Sequence, residues 1–282
     1  MCGADRENKS GYCRMPWEFK IARAGLHLWE EPPISGKNGS GTVFFSGCNL
    51  GCVYCQNYEI SHKNLGEIIS EERLLEIFGE LKDKGAHNIN LVNPTHYAER
   101  LADVLTKFGK QLPVVYNSSG YELVETLKKL EGKVDVYLPD LKYISGEKSQ
   151  RYSAAEDYFT FASEALVEMK KQCSENIYDE NGIMQKGMIV RHLILPKNTN
   201  QSLEILRWIY NNLGADTYVS LMAQYTPYGK IEDYPELQRK ITQREYDKVL
   251  SFATSLGFSN IFIQDPSSSS EEFIPDFDLT GV

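Results

Sequence analysis

An α/β fold, a mostly parallel sheet curled into a closed or partly closed barrel with helices outside it, is predicted for this 282-residue chain. The first sign is an alternation, after residue 40, of short β-branched runs with longer amphipathic ones. Strands that alternate with helices make βαβ units and hence a parallel sheet. The second is their number, because six or seven units suit a barrel, with a doubly wound open sheet as the alternative. The third is size: a chain this long can bury roughly 75% of its unfolded surface without disulfides.

The strands are predicted at 42–45 (TVFF), 88–92 (NINLV), 113–116 (PVVY), 134–138 (VDVYL), 188–195 (MIVRHLIL), 217–222 (TYVSLM) and 260–263 (NIFI). Helical periodicity lies near 70–84, 96–109, 121–131, 156–172, 201–213 and 242–256. Ser70, followed by Arg73 and Leu74, opens the first of these, and Thr242 with Glu245 makes a capping box for the last. Residues 30–42 (EEPPISGKNGSGT) read as an irregular lead-in. Their Gly-Lys-Asn-Gly-Ser-Gly run is a turn, since a phosphate loop follows a strand and opens a helix. Three regions result: a lead-in at 1–40 containing cysteines, a barrel at 41–265 and a tail at 266–282. The tail, linked through the serines 267–270, carries Phe273, Ile274, Phe277 and Leu279 and is expected to pack on the barrel. The helices and strands fill most of 42–263, which leaves no long insertion to cap a site. Only 173–187 and the tail are long enough to hang over an edge, so a mouth closed by a partner or a large substrate is expected.

Hydrophobic residues make up 41% and charged residues 24%, ordinary for a globular protein. Thirty Lys+Arg against 39 Asp+Glu gives a formal charge of −9, which argues against nucleic acid or an anionic membrane held by bulk charge. No run reaches the ~18 apolar residues of a membrane span, and the N-terminus lacks a signal-peptide core. A cytoplasmic protein is expected.

Six cysteines stand at 2, 13, 48, 52, 55 and 173. In a reducing compartment, clustered cysteines are ligands or catalysts rather than bridges. Cys173 is alone in a polar helical stretch and reads as a bystander. Cys48, Cys52 and Cys55 follow directly on the first predicted strand, at the C-terminal rim where barrel enzymes build their sites. Three thiols leave one iron of a [4Fe–4S] cluster without a protein ligand, whereas passive sites normally take four. The competing readings are a zinc knuckle completed by His62 or a distant cysteine, and unrelated buried cysteines.

The run Cys48-Asn-Leu-Gly-Cys52-Val-Tyr-Cys55 resembles the Cys-x3-Cys-x-aromatic-Cys signature of the radical S-adenosylmethionine (SAM) superfamily. Further stretches (LHLWEEPPISGKNGSGTVFFSGCNLGCVYCQNYEIS, GAHNINLVNPTH, VVYNSSGY, VDVYLPDLKY, VRHLILP, SLMAQYTP, FIPDFD) are similar to its PflX-like branch, relatives of pyruvate formate-lyase activating enzyme. The resemblance implies a partial (β/α)6 barrel. It implies a [4Fe–4S] cluster on the three cysteines, with SAM chelating the fourth iron through its amino and carboxylate groups. Reductive cleavage of SAM then gives methionine and a 5′-deoxyadenosyl radical that abstracts hydrogen. A low-potential electron donor, flavodoxin- or ferredoxin-like, is implied as partner. The substrate is either a glycine of another protein, as for a glycyl-radical activase, or a small molecule or peptide. A non-enzymatic metal-binding or docking protein on a retained barrel is the rival from another class.

Around the cluster the resemblance assigns further positions. Tyr54 is expected near the adenine, with simple packing as the alternative. Asn93, Thr95 and His96 stand where the superfamily commonly has a Gly-Gly-Glu run meeting the SAM amino group; a surface role is the other reading of His96. Asn117 replaces an Asp of the activating enzymes. Asp140 and Lys142, two apart and so on one face of an extended segment, match their Asp-x-Lys that approaches SAM; a surface ion pair is the alternative. Arg191 and His192 must point to opposite faces, and Arg191 is favoured for the lumen because a guanidinium suits a carboxylate. Gln224 stands near where those enzymes place a His. Cys2 and Cys13 resemble half of an N-terminal cysteine segment of such relatives, or are two free thiols.

Overall fold

The computed structural model describes residues 4, 6, 11–263 and 275–282. Among them ten strands form one sheet: β1 Phe19–His27, β2 Ser40–Phe45, β3 Glu67–Ile69, β4 Ile89–Val92, β5 Val114–Ser118, β6 Val136–Pro139, β7 Ile177–Tyr178, β8 Met184–Leu193, β9 Tyr218–Met222 and β10 Ile261–Ile263. The spatial order is β10-β9-β8-β6-β5-β4-β2-β1-β3, with β7 on the side of β8. Every pairing from β2 to β10 along this path is parallel. The path does not close on itself among the described residues, so the barrel is partial. All seven predicted strands are present. The helices are α1 Pro32–Ser35, α2 Tyr58–Ser61, α3 Glu71–Asp83, α4 Ala98–Phe108, α5 Val124–Lys129, α6 Gly146–Ser153, α7 Tyr158–Gln172, α8 Thr199–Leu213 and α9 Gln243–Leu256. Ser70 caps α3 by accepting from the Arg73 N–H, and Thr242 with Glu245 closes a full capping box on α9.

The lead-in is not irregular throughout. Residues Phe19–His27 form β1, antiparallel to both β2 and β3. Its pairing with β2 shifts register between Ile21 and Arg23, which places Ile21 and Ala22 both in the interior. A bulge of this kind interrupts the strict alternation by which a strand is read from sequence. The Pro/Gly-rich stretch after it supplies the one-turn helix α1, whose Ile34 lies in a buried cluster with Val115, Val136, Leu138 and Ile189. These are alternate residues of β5, β6 and β8, so α1 plugs the barrel near the N-terminal ends of its strands.

The segment 173–187 also departs from expectation. Rather than overhanging a mouth, it pairs β7 with the start of β8 through Ile177 opposite Lys186, and Met184 joins the same lower cluster as Ile34. The tail lies along β1: the Leu279 N–H donates to Ala22 O (3.2 Å), the Ala24 N–H donates to Thr280 O (2.9 Å), and Phe277 meets Phe44 edge-on at 5.5 Å. Phe273, Ile274, the serines 267–270 and Cys2 lie outside the described residues. Cys173 caps the C-terminus of α7, buried, its thiol donating to Asp135 O at 3.3 Å. No helix among the described residues is long and apolar enough to cross a membrane.

Candidate functional site

The loop after β2 leaves the C-terminal end of the sheet through Gly47, at φ 80°, where a Cβ would lie 2.7 Å from Cys13 O. Only glycine fits such a corner. The chain then delivers Cys52 buried and Cys48 and Cys55 half-buried. Each thiol has a polar neighbour from a different element. The Cys48 thiol donates to Asn93 Oδ1 at 3.4 Å, Ser153 Oγ of α6 donates to Cys52 Sγ at 2.9 Å, and Ser61 Oγ of α2 donates to Cys55 Sγ at 3.3 Å. Burial pushes all three thiols up, Cys55 to about 11, and the repulsion of neighbouring thiolates adds to it for Cys48 and Cys55. Cysteines bind metals as thiolates, and a cationic centre would offset both effects. Among the described residues no three His, Cys, Asp or Glu side chains converge closely enough to hold a single metal ion. The chemistry of three thiols on one loop fits a cluster with one iron left open, and His62, the fourth ligand a zinc knuckle would need, stacks on Tyr58 at 4.5 Å.

Tyr54 is buried, its hydroxyl 2.6 Å from Tyr143 Oη, which in turn lies 2.8 Å from Ser153 Oγ. This chain of hydroxyls ends on Cys52. Tyr54 thus packs in the core and also borders a cavity of about 230 Å³ beside Cys52 and Cys55.

That cavity is lined by Asn117, Asp140, Lys142, Arg191 and Gln224, and by Glu30. Gly120, at φ 74° and with room for no Cβ (2.4 Å to Asp140 O), lets the ends of β5 and β6 approach. Lys142 Nζ lies 2.5 Å from Asp140 Oδ2, with side chains only 18% and 13% exposed, so the pair is inside the barrel mouth rather than on the surface. Arg191 donates from Nε to Asp140 Oδ1 (3.1 Å), from Nη1 to Glu30 Oε2 (3.1 Å) and from Nη2 to Asn117 Oδ1 (2.6 Å). His192 faces the other way, buried between Leu141 O (2.7 Å) and Ser202 Oγ (2.9 Å), and burial lowers its pKa to about 4. Burial alone would raise Asp140, but Lys142 and Arg191 outweigh it and hold the carboxyl below its ordinary value. For Glu30 and Glu31 burial wins, and both are raised. Gln224 accepts at its backbone carbonyl from Gln56 Nε2 (3.3 Å) and borders the same space.

The loop after β4 behaves differently. Asn93 takes φ 58°, receives the Cys48 thiol and donates to Gly47 O, so it braces the cysteine loop. Thr95 and His96 do not join the 230 Å³ cavity; they line a separate one of about 430 Å³, with Cys13, Trp17, Asn49 and Arg100. The reason is local. Thr95 Oγ1 donates to the buried Glu122 carboxylate (2.6 Å), and His96 Nε2 is drawn to Ser46 O (2.7 Å), which leaves Nδ1 buried without a partner. Cys13 is buried and its thiol is free.

Sequence reasoning gave no role to Glu30, a wall of the cavity. Two adjacent acids in an otherwise apolar context, Leu28-Trp29-Glu30-Glu31-Pro32, were the available signal.

A model of the radical SAM superfamily matches residues 42–209. The chain is 32% identical to the uncharacterized protein MJ0674 of Methanocaldococcus jannaschii over 273 residues, covering 93% of this chain and 74% of that one. Among solved structures, Streptococcus suis SuiB bound to S-adenosylmethionine aligns with TM-score 0.53 at 13% identity, over 77% of this chain and 48% of its own. The hydrogenase maturase HydG from Carboxydothermus hydrogenoformans aligns with TM-score 0.56 at 11% identity, over 83% and 56%. This chain spans about half the length of these two structures, and the likeness to them is one of fold. With the family model covering more than half of it and a relative 32% identical over 93% of it, the chain belongs to the radical SAM superfamily of enzymes, whose cofactors are a [4Fe–4S] cluster and SAM.

Proposed function

We propose that Cys48, Cys52 and Cys55 hold the cluster and that Asp140, Lys142, Arg191 and Asn117 bind SAM in the adjoining cavity. The observation that carries this reading is adjacency: Cys52, Cys55 and a desolvated ion network border one cavity, with Cys48 on the same loop. When bound, cluster and SAM together supply a 5′-deoxyadenosyl radical that abstracts a hydrogen atom, given an electron from a flavodoxin- or ferredoxin-like donor. Lys142 offers an ammonium to the SAM carboxylate, and Asp140 offers its carboxylate to the SAM amino group. Arg191 holds Asp140 ionised, and Asn117 adds an amide. Tyr54 walls the cavity with an aromatic face suited to a purine. Gln224, where activating enzymes have His, can hydrogen-bond a ribose but moves no proton.

The acceptor of the radical is a segment of peptide or protein, a glycyl-radical protein being one case. A cavity of about 230 Å³ is smaller than the ~300–1,000 Å³ of ordinary ligand sites. SAM would occupy this space and extend from it toward the mouth, and α1 plugs the barrel below, so the substrate is met at the mouth. SuiB, which shares the fold at TM-score 0.53 and 13% identity, has been solved bound to its precursor peptide SuiA. Anaerobic reconstitution followed by a SAM-cleavage assay tests the first part: methionine and 5′-deoxyadenosine in equal amounts are expected. Deuterium appearing in 5′-deoxyadenosine from a labelled small metabolite, and from no labelled protein or peptide, would sink the second.

A further inference from the structure

Glu30 is a costly residue to place where it stands. Its side chain is 10% exposed, and a buried carboxylate needs partners to offset its lost hydration. The plug does not require an acid there, because Ile34 closes the barrel with apolar contacts alone. Glu30 instead accepts three hydrogen bonds, two of them from residues that line the cavity. Oε1 accepts from Asn90 Nδ2 (3.1 Å) and Asn117 Nδ2 (3.3 Å), while Oε2 accepts from Arg191 Nη1 (3.1 Å). Its backbone is equally fixed: the Glu30 N–H donates to Ser35 Oγ (2.9 Å), and that hydroxyl donates to His27 O (3.2 Å).

We propose that Glu30 is a positioning residue for the SAM pocket, acting through Arg191 and Asn117 from the platform of the lead-in. This rests on the SAM placement proposed above. Arg191 has a donor on each of its three nitrogens engaged, one on Asp140, one on Glu30 and one on Asn117. Without Glu30 the guanidinium is free to swing and take both Asp140 oxygens, the bidentate geometry arginine favours. It would then displace Lys142 from Asp140 Oδ2. Glu30 also sets the flip of Asn117, whose Oδ1 must face Arg191 because its Nδ2 faces Glu30. The carboxylate thus keeps Arg191 single-handed on Asp140 and keeps Lys142 in place for SAM.

Calorimetric SAM affinity of reconstituted protein provides the test, with iron content and melting temperature recorded alongside. Glu30→Gln puts an amide N–H against two amide donors, so SAM binding is expected to weaken about tenfold, or ~1.4 kcal/mol, at unchanged iron content. Because Glu30 acts through Arg191 and Asn117, adding Glu30→Gln to an Arg191→Gln background should cost less SAM affinity than Glu30→Gln costs in the wild type. Affinity of Glu30→Gln within twofold of wild type, or losses that multiply in the double variant, would overturn the proposal. So would a variant that loses only melting temperature and iron. Should Glu30→Gln fail to fold, Glu30→Asp keeps the charge and shortens the reach, with a loss of about threefold expected and wild-type affinity counting against the idea. Wild-type protein that binds no SAM refutes the site assignment and this inference together, whereas binding unaffected at Glu30 refutes the inference alone.

Discussion

Two cavities flank the cysteine loop, and their charged groups are organised differently. In the smaller one, Asp140, Lys142, Arg191, Glu30 and Asn117 satisfy one another in a closed set of ion pairs and hydrogen bonds. The larger one is bordered by Arg6, Glu99 and Arg100 together with His96, whose Nδ1 is buried without a partner and whose pKa burial lowers to about 3, and its Thr95 holds Glu122, which burial raises to about 7. A paired network can trade one partner for an incoming charged ligand at little net cost, because the ligand replaces a bond already made in low dielectric. The charged groups of the larger cavity form no such joint network: Arg100 donates to Trp17 O, and Glu99 pairs with Lys129. Volume is therefore a poor guide here, and the smaller cavity is the better candidate for SAM.

The sharpest way to break that contrast is at the thiols. Alanine at Cys48, Cys52 or Cys55 should abolish SAM cleavage and lower bound iron from about four per chain. Cys13→Ala, on the larger cavity, should leave cleavage intact, as read by iron analysis and 5′-deoxyadenosine formation. An iron loss at Cys13 matching that at Cys52 would erase the distinction.

Next in size is a pH effect at Glu122, the buried carboxyl that holds Thr95 of the larger cavity. The folded pKa of Glu122 is about 7, above its ordinary value near 4.5, chiefly because it is desolvated. The folded state therefore holds this proton more tightly than the unfolded one. The contribution is complete below pH ~4.5 and is lost as pH rises through about 7, worth up to ~3 kcal/mol. Glu122→Gln should remove that decline, measured as urea stability at pH 5 and pH 8. The same decline persisting in the variant would mean that another group causes it.

Lys142→Ala tests the smaller cavity. Losing a charged hydrogen-bond partner should cost ~1.5–3 kcal/mol of SAM affinity. Calorimetry that finds SAM binding unchanged would return the Asp140–Lys142 pair to a structural role. The smallest effect belongs to His96→Gln, which removes one hydrogen bond to Ser46 O and should lower stability by ~1 kcal/mol while leaving SAM affinity within about threefold. A larger loss of affinity would bring the loop after β4 back into the SAM site.

The parallel strands were legible because βαβ units repeat their period within a local window, and caps such as Ser70 and the Thr242–Glu245 box are read from three or four consecutive residues. The cysteine triplet was legible for the same reason, since its three cysteines lie in one short loop. β1 was missed because its bulge breaks the alternation. The 173–187 segment was misplaced because its length alone does not reveal which end of the barrel it meets. Asp140 and Lys142 could be assigned to one face from their spacing of two. The choice between Arg191 and His192 needed the pairing of β8 with its neighbours to be resolved into an inward and an outward side.

Composition, strand period and the spacing of Cys48, Cys52 and Cys55 are local quantities, and from them the chain alone sufficed for the barrel class and the cluster motif. Glu30 stands 161 residues from Arg191 and 87 from Asn117, and no local pattern links a carboxylate before the first barrel strand to a guanidinium on the fifth. Their meeting, and the turning of Thr95 and His96 away from the pocket, depend on how the plug seats in the lumen and on which carbonyls lie within reach. Such contacts are set by packing across the sheet, where a side chain's partners are chosen by geometry rather than by sequence neighbours.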